Sequence, residues 1–449
     1  MLRKRWFRWL IPGLNIKRWL ALYSLGVGLL IIGISLLFNY QWLSYIEDIV
    51  LAYSYSLTGY YNYNVLILVG TILIVIAALL ILLGTSKVIK TIIRAVLPDP
   101  SSKVSDIIFQ NIRLDKGPKI VVIGGGTGLS NLLRGLKDHT SNLSAIVTVA
   151  DDGGSSGRLR EDFKMIAPGD LRNCLVALAE QEGVMENLFR YRFDGDNELS
   201  GHSFGNLFIT ALAQVYDGDV EAALEAASKL LRVRGRVIPS STEFIQLSAE
   251  LADGTIVNGE SNIPHSGQPI KRVFSTPALP KPEGAALQAI DEADVIILGP
   301  GSLYTSIIPN LLTDKIADHV RASKANKIYI ANVMTQPGET SGYSLADHVQ
   351  AIIDHSGVGI VDTVLANDGP LPIQMVEQYS AVGSEPMAID SKRLQEMGIR
   401  TVRATLISQE KPAVHDPERL GKVLMDIIYA MKSDMEPRVL EYYLRRADH

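Results

Sequence analysis

Two long apolar segments near the N-terminus constrain the fold of this chain more than any other feature. The segments 20–38 and 65–83 contain no charged residue. Each is about as long as the ~20 residues that a helix needs to cross the ~30 Å hydrocarbon layer. A pair of buried core helices would usually keep a polar stripe, which neither segment has. A cleaved signal peptide would account for the first segment alone, so we expect two membrane-spanning helices.

The flanking charges predict how these spans are oriented. Six basic residues precede the first span, and Lys87, Lys90 and Arg94 follow the second, whereas 39–64 contains no Lys or Arg. The positive-inside rule therefore predicts a two-span protein of the cell membrane with both termini and the following domain in the cytoplasm. Since neither span holds an ionisable group, we interpret the hairpin, residues 1–96, as an anchor rather than a transport unit.

The rest of the chain has the pattern of an α/β domain. Apolar strand-like runs alternate with helical patterns, which predicts a Rossmann-like parallel sheet with helices on both faces. A linker containing Pro and Ser is predicted at 97–117, and the nucleotide-binding domain at 118–449. Short alternating strands flank Asp253-Gly254, a hairpin-type turn, so an inserted α+β subdomain is predicted at about 220–282.

Composition excludes several classes of protein. The formal net charge is −5 and the pI is near 6.0, so the basic excess of a nucleic-acid-binding protein is absent and no nucleic-acid partner is expected. The single cysteine, Cys174, excludes an internal disulfide and a metal site built from several cysteines. Its apolar helical surroundings predict a buried thiol rather than a nucleophile.

A glycine-rich loop predicts a phosphate-binding site. The strand-like run 119–123 leads directly into Gly124-Gly125-Gly126-Thr127-Gly128, and a helix is expected to start near Leu129. A glycine turn between a buried strand and a helix N-terminus presents backbone N–H groups to an anion. The dinucleotide-binding fingerprint is incomplete, because Leu129 stands where it requires a third glycine.

Two adjacent carboxylates, Asp151 and Asp152, follow the second predicted strand. This is the edge where open α/β sheets bind ligands. Their charges would repel a phosphate unless a divalent cation lay between, so we expect a Mg²⁺ site at Asp151 and Asp152. A solvated Asp-Gly turn is the alternative. If the chain is a catalyst, one of these aspartates or His202 would accept a proton, and Arg158 or Arg172 would neutralise phosphate charge.

Further polar motifs open the predicted helices. Asp170, in Gly169-Asp170-Leu171-Arg172, is either a helix N-cap or a site residue. In Gly201-His202-Ser203, Ser203 is a natural N-cap, so His202 and Asn206 are the better candidates for a functional role.

A second glycine-rich loop, Gly299-Pro300-Gly301-Ser302, follows the run 295–298, and Asn332 follows another strand-like run. Two such loops on one sheet can hold both ends of a diphosphate. The candidate catalytic residues are Asp151, Asp152 and His202. The candidate ligand-binding residues are Gly124, Gly125, Gly126, Thr127, Gly128, Arg158, Asp170, Asn206, Gly301, Ser302, Tyr304 and Asn332.

Six motifs in this order resemble the CofD-like superfamily, most closely its YvcK-type branch, the gluconeogenesis factors. They lie at 124–128, 151–158, 169–172, 201–206, 299–306 and 332–340. The segment with Arg234 to Pro239, Asp253-Gly254 and Gly259-Glu260 looks like that branch rather than the transferases. The membrane hairpin departs from the usual soluble relatives.

The resemblance implies functions and residue roles. Transferase members move phospholactate from a nucleotide diphosphate conjugate onto a deazaflavin alcohol with Mg²⁺. YvcK-type members are linked to growth on gluconeogenic carbon sources, cell-wall synthesis and cell shape, and bind UDP-sugars. By resemblance, residues 126–128 face the phosphates, the pair 151–152 lies where transferases place metal and acceptor, and Tyr304 approaches the nucleotide sugar.

Three functions therefore compete. We expect a membrane-tethered UDP-sugar-binding factor that regulates carbon metabolism, cell-wall synthesis and cell shape. The alternative is a 2-phospho-L-lactate transferase acting on a deazaflavin acceptor with Mg²⁺. An NAD-type oxidoreductase is disfavoured by Leu129 and the double aspartate. The expected partners are a nucleotide diphosphate sugar, the membrane, a second copy of the chain, and cell-wall enzymes or their regulators.

Overall fold

The chain divides into two compact units, Met1–Gln110 and Asn111–His449. The computed structural model describes residues 16–38, 44–60, 63–96, 112–180, 183–407 and 414–432. Most of the predicted linker, 97–111, and the basic segment 1–15 lie outside these residues, so both remain predictions from the sequence.

The described residues of the first unit form three helices, α1 Ile16–Phe38, α2 Ser44–Thr58 and α3 Tyr63–Val96. Two of them include segments long and apolar enough to cross a membrane, Arg18–Leu37 and Asn64–Thr91. The loop expected between the spans contains the helix α2. Only 22% of the first segment and 17% of the second is buried, whereas a core helix of a soluble protein would be mostly buried.

Small residues form the seam between α1 and α3. A Cβ atom added to Gly33 would lie 3.0 Å from the Gly70 carbonyl oxygen, and one added to Gly70 would lie 3.0 Å from the Gly33 carbonyl oxygen. Gly26 lies seven residues before Gly33, and Ala77 and Gly84 follow Gly70 at the same spacing. Such spacing lets two helix backbones approach closely, which is typical of membrane helix pairs.

Large apolar side chains of this unit point outward. More than half of the side-chain surface is exposed at Leu25, Ile31, Leu68, Val75 and Leu82. An arrangement with small residues inside and large apolar residues outside suits lipid better than water.

Ten strands lie in the described part of the second unit. They are β1 Ile120–Gly124, β2 Leu143–Val147, β3 Arg236–Pro239, β4 Gln246–Leu251, β5 Ile256–Asn258, β6 Ile270–Thr276, β7 Val295–Leu298, β8 Asn326–Ile330, β9 Thr363–Asn367 and β10 Arg400–Ala404. Seven of them form one sheet in the order β10-β9-β8-β7-β1-β2-β3, and every pair is parallel. This confirms the predicted Rossmann-like α/β fold.

Helices connect the strands of this sheet. They are α4 Gly126–Leu136, α5 Gly154–Phe163, α6 Pro168–Leu178, α7 Gly183–Arg190, α8 Phe204–Val215, α9 Val220–Leu231, α10 Gly284–Asp291, α11 Ile308–Leu311, α12 Ile316–Ala322, α13 Leu345–Ser356, α14 Ile373–Ser380, α15 Ser391–Glu396 and α16 Pro417–Lys432. A 3₁₀ helix spans Glu260–His265, and a π-helical turn spans Leu303–Ile307. Cys174 in α6 is fully buried, as predicted, and burial raises its pKa.

The smaller sheet is antiparallel, with the order β5-β4-β6. It begins at Gln246, later than the predicted start of the insert near 220. The first part of the predicted insert belongs to the main sheet instead, because Arg236–Pro239 pairs with β2 and Val220–Leu231 packs against it. The sequence pattern alone does not show which of two sheets a four-residue strand joins.

The strand order places one crevice at the centre of the main sheet. β1 pairs with β2 on one side and with β7 on the other. The connections leaving β1 and β7 therefore diverge at their carboxyl ends, which is where open α/β sheets bind ligands.

Candidate functional site

The first glycine loop follows β1 and opens α4. The helix begins at Gly126, three residues before the predicted start, and its N-cap is Gly125, which makes no side-chain cap. The N–H groups of Thr127 and Gly128, in its first turn, are therefore available to an anion. Gly126 has φ +68°, a conformation that favours glycine. A Cβ atom on Gly128 would lie 2.5 Å from the Pro300 carbonyl oxygen. Position 128 therefore needs a glycine, because the second loop passes so close to it.

Asp170 fixes the first glycine loop from behind. It lies inside α6, whose N-cap is Ala167, so it is not the N-cap considered from the sequence. The Gly126 N–H donates to its carboxylate. Burial, with a smaller contribution from the charge of Asp151, raises the pKa of Asp170 to about 6. Asp170 therefore holds the loop's shape.

The second glycine loop is held by Asn332. The Gly301 N–H donates to Oδ1 of Asn332 (3.2 Å), and Nδ2 of Asn332 donates to the Gly301 carbonyl (2.9 Å). Asn310 connects the segments on which the two loops rest. Its amide donates to the carbonyl of Gly124, at the end of β1 (3.1 Å), and to that of Ser306, after the second loop (2.8 Å). The predicted ligand-binding residue Asn332 thus fastens one wall of the crevice.

A cleft of about 440 Å³ opens between these loops. Both glycine loops and the segment 332–337 line it, and Tyr379, Val382, Ser384, Val414 and His415 complete its wall. We call this space the cleft. Its volume lies in the range of small-molecule sites.

His415 is the most unusual residue of the cleft wall. It is 5% exposed, and Nε2 has no hydrogen-bond partner among the described residues. Burial lowers its pKa to about 4, although a hydrogen bond with the Ala331 backbone opposes that shift. At neutral pH the imidazole is therefore uncharged.

Asp152 does not have the free carboxylate that a metal ligand needs. Its Oδ2 accepts the Glu260 N–H and its Oδ1 accepts the Ser261 N–H, both at 2.9 Å. Asp152 thus caps the 3₁₀ helix of the smaller-sheet segment. The carboxylate of Asp151 has fewer hydrogen bonds, since its Oδ1 accepts the Gly153 N–H at 2.9 Å.

Three carboxyl groups of this region have raised pKa values, and the charge of Asp151 contributes to two of them, those of Glu260 and Asp170. Burial and the charges of Asp151 and Asp152 raise the pKa of Glu260 to about 8, and burial raises that of Glu339 to about 7. Together with Asp170 they form what we call the acidic group: Asp151, Asp170, Glu260 and Glu339. Within the described residues, no three His, Cys, Asp or Glu side chains are arranged to hold a metal ion by themselves.

His202 and Asn206 meet at Ser155. The Ser155 hydroxyl lies 3.1 Å from Nδ1 of His202, and the Asn206 amide donates to it at 3.1 Å. Arg172 donates to Oδ1 of Asn206 (3.0 Å). Burial, then the charge of Arg158, lowers the pKa of His202. Arg158 itself donates to a backbone carbonyl rather than pointing into the cleft.

Ser155 also completes a Gly-x-Ser-x-Gly spacing at 153–157. It is 4% exposed, in the first turn of α5, and does not line the cleft. We therefore assign it a positioning role rather than that of a nucleophile.

Tyr304 corrects another prediction. Its side chain is 2% exposed and its hydroxyl lies 2.9 Å from the Tyr343 hydroxyl. Burial raises its pKa. Its N–H donates to Glu339. Because the π-helical turn directs the ring into the core, Tyr304 contributes nothing to the wall of the cleft.

The predicted residues thus fall into two sets. The cleft is lined by Gly125, Gly126, Thr127, Gly128, Gly301, Ser302 and Asn332, and Gly124 directly precedes them. Asp151, Asp152, Arg158, Asp170, His202 and Asn206 lie outside that lining. The two sets meet at Gly125, where an added Cβ atom would lie 2.6 Å from Oδ2 of Asp170.

Sequence reasoning missed three residues of the site. Glu260 and Glu339 occurred only inside motifs of the resemblance, and no motif contained His415. The signal available for Glu260 was an acidic residue directly after a glycine, Gly259. For His415 no local signal exists, since it meets the cleft only through the fold.

A family model described as 2-phospho-L-lactate transferase CofD matches residues 120–407. A gluconeogenesis factor of Bacillus subtilis (strain 168) is 47% identical over 312 residues, which cover 69% of this chain and 98% of that protein. A protein of Nostoc sp. is 45% identical over 425 residues, which cover 94% of this chain and 92% of that protein. Relatives of this domain therefore occur at two lengths.

A solved structure gives the same result for the fold. The crystal structure of a Bacillus halodurans protein is 48% identical, with a TM-score of 0.67, and its alignment covers 70% of this chain and 100% of that chain. A unit of this size therefore folds by itself.

Proposed function

This chain belongs to the CofD family and groups with its gluconeogenesis factors, and from that premise we propose that it is a membrane-tethered binding protein for a nucleotide diphosphate sugar. The proposed ligand is a UDP-sugar. In this proposal, ligand occupancy regulates carbon metabolism, cell-wall synthesis and cell shape. UDP-N-acetylglucosamine is the first ligand to test.

The observation that carries the proposal is the start of α4, where Asp170 accepts the Gly126 N–H and no side chain of the N-cap residue covers the next amides. Gly125 supplies no side-chain cap, so the amides of Thr127 and Gly128 and the helix dipole are open to a phosphate. The second loop lines the same cleft, and since the Gly301 N–H already donates to Asn332, Ser302 is the residue of this loop that would meet a phosphate. The start of α4 and Ser302 together fit the two phosphates of a diphosphate.

The far wall of the cleft fits the rest of such a ligand. His415 offers a buried acceptor without a partner among the described residues. An unpaired buried acceptor is costly unless a donor reaches it. The imide N–H of a uracil or a sugar hydroxyl would supply that donor, and the exposed apolar residues Val382 and Val414 would cover a ring beside it.

The donors near the loop fit a divalent cation only in part. Among the described residues, Oδ2 of Asp151 accepts no backbone N–H, whereas both oxygens of Asp152 do. Mg²⁺ prefers one or two carboxylates and completes its shell with phosphates and water. We therefore propose Asp151, without Asp152, as the ligand that would hold Mg²⁺ arriving with the diphosphate.

Calorimetry on the separately produced unit 111–449 tests the binding. We expect saturable, micromolar binding of UDP-N-acetylglucosamine. Thr127→Val, which removes one hydroxyl donor at an exposed position, should weaken this binding several-fold. His415→Phe, as a separate variant, should weaken it more than Thr127→Val does. Thr255→Val, in the turn between β4 and β5, is the matched control and should bind normally. Absence of heat and of any thermal shift with UDP-sugars would contradict the proposal.

The first unit supports membrane tethering. Its seam of glycine and alanine and its outward Leu and Ile side chains fit a hairpin in lipid. Ser56 lies in α2, between the spans. A Ser56→Cys variant should react with a membrane-impermeant maleimide on intact cells, and Ser391→Cys, in the second unit, should react only after lysis. Labelling of Ser391→Cys on intact cells, or recovery of the protein in the soluble fraction, would contradict the proposal.

Catalytic turnover is the second candidate, favoured by the family model that matches the domain. The alternative reaction is transfer of phospholactate to a deazaflavin acceptor with Mg²⁺. The occupied carboxylate of Asp152 makes this role less suited to the site. Product formed with Mg²⁺ and lost in Asp151→Asn would establish turnover.

A further inference from the structure

The segment that follows β8 holds the second glycine loop at both of its ends. At one end, Asn332 exchanges two hydrogen bonds with the backbone of Gly301. At the other end, Glu339 accepts the Tyr304 N–H on Oε2 and the Thr305 hydroxyl on Oε1, both at 3.1 Å. The Thr305 N–H also donates to the Glu339 carboxylate. One short segment of the chain therefore fixes the backbone on either side of position 302.

Ser302 occupies the N-cap position of the π-helical turn, but its side chain makes no cap. A serine at this position usually accepts, on its Oγ, the backbone N–H of the second or third residue of the turn. Those two residues are Tyr304 and Thr305. Glu339 accepts the N–H groups of both, so a carboxylate from a distant segment performs the capping that the local serine would ordinarily perform.

The consequence of this substitution is a free hydroxyl at the wall of the cleft. The carbonyl of Ser302 accepts the N–H groups of Ser306 and Ile307, both at 3.0 Å. Its hydroxyl takes part in no hydrogen bond within the part of the chain that the structure describes. Since Ser302 lines the cleft, the hydroxyl is the group of this residue that remains for a ligand.

We propose that Glu339 is a positioning residue, which caps the π-helical turn in place of Ser302 and so leaves the Ser302 hydroxyl free to donate to a phosphate of the ligand. Glu339 is 3% exposed and does not line the cleft, so it acts through the serine rather than on the ligand. Without Glu339, the Ser302 hydroxyl would turn back to the unsatisfied N–H groups of the turn. This role rests on the proposed function, which supplies the ligand, a UDP-sugar.

A double-mutant cycle on the unit 111–449 tests this role, with calorimetry of UDP-N-acetylglucosamine binding as the readout. Ser302→Ala removes a hydrogen bond to a charged phosphate and should weaken binding about tenfold. Glu339→Ala should weaken it by a similar factor, and the double variant should bind no more weakly than either single variant. Glu339→Gln should bind nearly as the parent does, because its amide can accept the Tyr304 N–H and donate to the Thr305 hydroxyl. Losses that multiply to about a hundredfold in the double variant would overturn the proposal.

A carboxylate with the same capping task elsewhere in the fold provides the matched control. Asp390 accepts the Ala346 N–H (2.9 Å) and the Ser344 hydroxyl (2.6 Å) at the start of α13, and it does not line the cleft. Asp390→Ala should lower the melting temperature and leave UDP-sugar affinity unchanged.

The melting temperature of Ser302→Ala without ligand is a second measurement, which does not depend on the folding of Glu339→Ala. It should equal that of the parent protein, since the hydroxyl serves no group of the described fold. A lower melting temperature, as expected when an N-cap serine is removed, would overturn the proposal. Absence of UDP-sugar binding by the parent protein would refute the proposed function and this role with it. Binding by the parent protein with independent losses in the two variants would refute this role alone.

Discussion

Glu260 gives the sharpest test of the electrostatics around the first glycine loop. Its folded-state pKa of about 8 stands well above the ordinary value of 4.5. A carboxyl of this kind is neutral in the folded protein and ionised in the unfolded chain over the whole interval between those values. The contribution of Glu260 to the free energy of unfolding is therefore fully present below pH 4.5 and is lost as the pH rises towards 8.

The expected magnitude follows from this interval. Each pH unit corresponds to about 1.4 kcal/mol, so at pH 7 the retained proton costs the fold about 3 kcal/mol. Glu260→Gln keeps the shape of the neutral acid and removes that cost. We expect it to raise the free energy of unfolding by about 3 kcal/mol at pH 7, and to have almost no effect at pH 4.5.

Urea denaturation of the unit 111–449 at pH 5, 7 and 8, with EDTA present, measures this effect. Glu198→Gln, at an exposed carboxylate, is the matched control and should show no such pH-dependent gain. Equal stability of Glu260→Gln and the parent protein at pH 8 would refute the reasoning. A loss of stability at pH 8 would do so as well.

Three further predictions concern the hairpin and the corrected site residues. Gly70→Leu should push α1 away from α3 and reduce intramolecular cysteine cross-linking across the seam, whereas Leu79→Ala, at an outward position, should not. Tyr304→Phe should lower the free energy of unfolding, measured by heat or urea, by about 1 kcal/mol, because it removes the hydrogen bond to the Tyr343 hydroxyl. It should leave UDP-sugar affinity unchanged. Asp152→Asn should destabilise the second unit by about 1–2 kcal/mol without changing the affinity for Mg²⁺ with nucleotide, measured by calorimetry.

Local sequence predicted the parts of the fold that local physics decides. A continuous apolar run followed by glycines predicted β1 and the loop at 124–128. Charge-free segments of sufficient length predicted the two apolar helices, and Ser203 caps α8 as expected, since its side chain accepts the Asn206 N–H. Each of these rests on residues that are close in the chain.

Contacts between residues far apart in the chain could not be predicted in the same way. Asp152 caps a helix 108 residues away, so its carboxylate looked free in the sequence. Tyr304 was expected near the ligand because its loop is, but a π-helical turn directs its ring into the core. His415 is placed at the cleft by an antiparallel backbone bridge to Ile407 and by the packing of α16 on α4. Such placements depend on the assembled fold.

Asp170 links the two halves of the site, and its titration should therefore appear in ligand binding. It accepts the Gly126 N–H, so one donor of the first glycine loop already serves a carboxylate, and its pKa is about 6. Above pH 6 the ionised group would repel a diphosphate bound at the adjacent amides of Thr127 and Gly128, and below pH 6 this repulsion disappears. The diphosphate of a UDP-sugar does not titrate in this range, so we expect UDP-sugar affinity to rise as pH falls from 7.5 to 5.5. Asp170→Asn keeps an acceptor for the Gly126 N–H without the charge, and should bind more tightly at pH 7.5 with a smaller pH dependence, because only groups such as Glu339, whose pKa is about 7, would still titrate. Calorimetry at both pH values measures this, and tighter binding at pH 7.5 than at pH 5.5 in the parent protein would show that the charge of Asp170 does not reach the cleft.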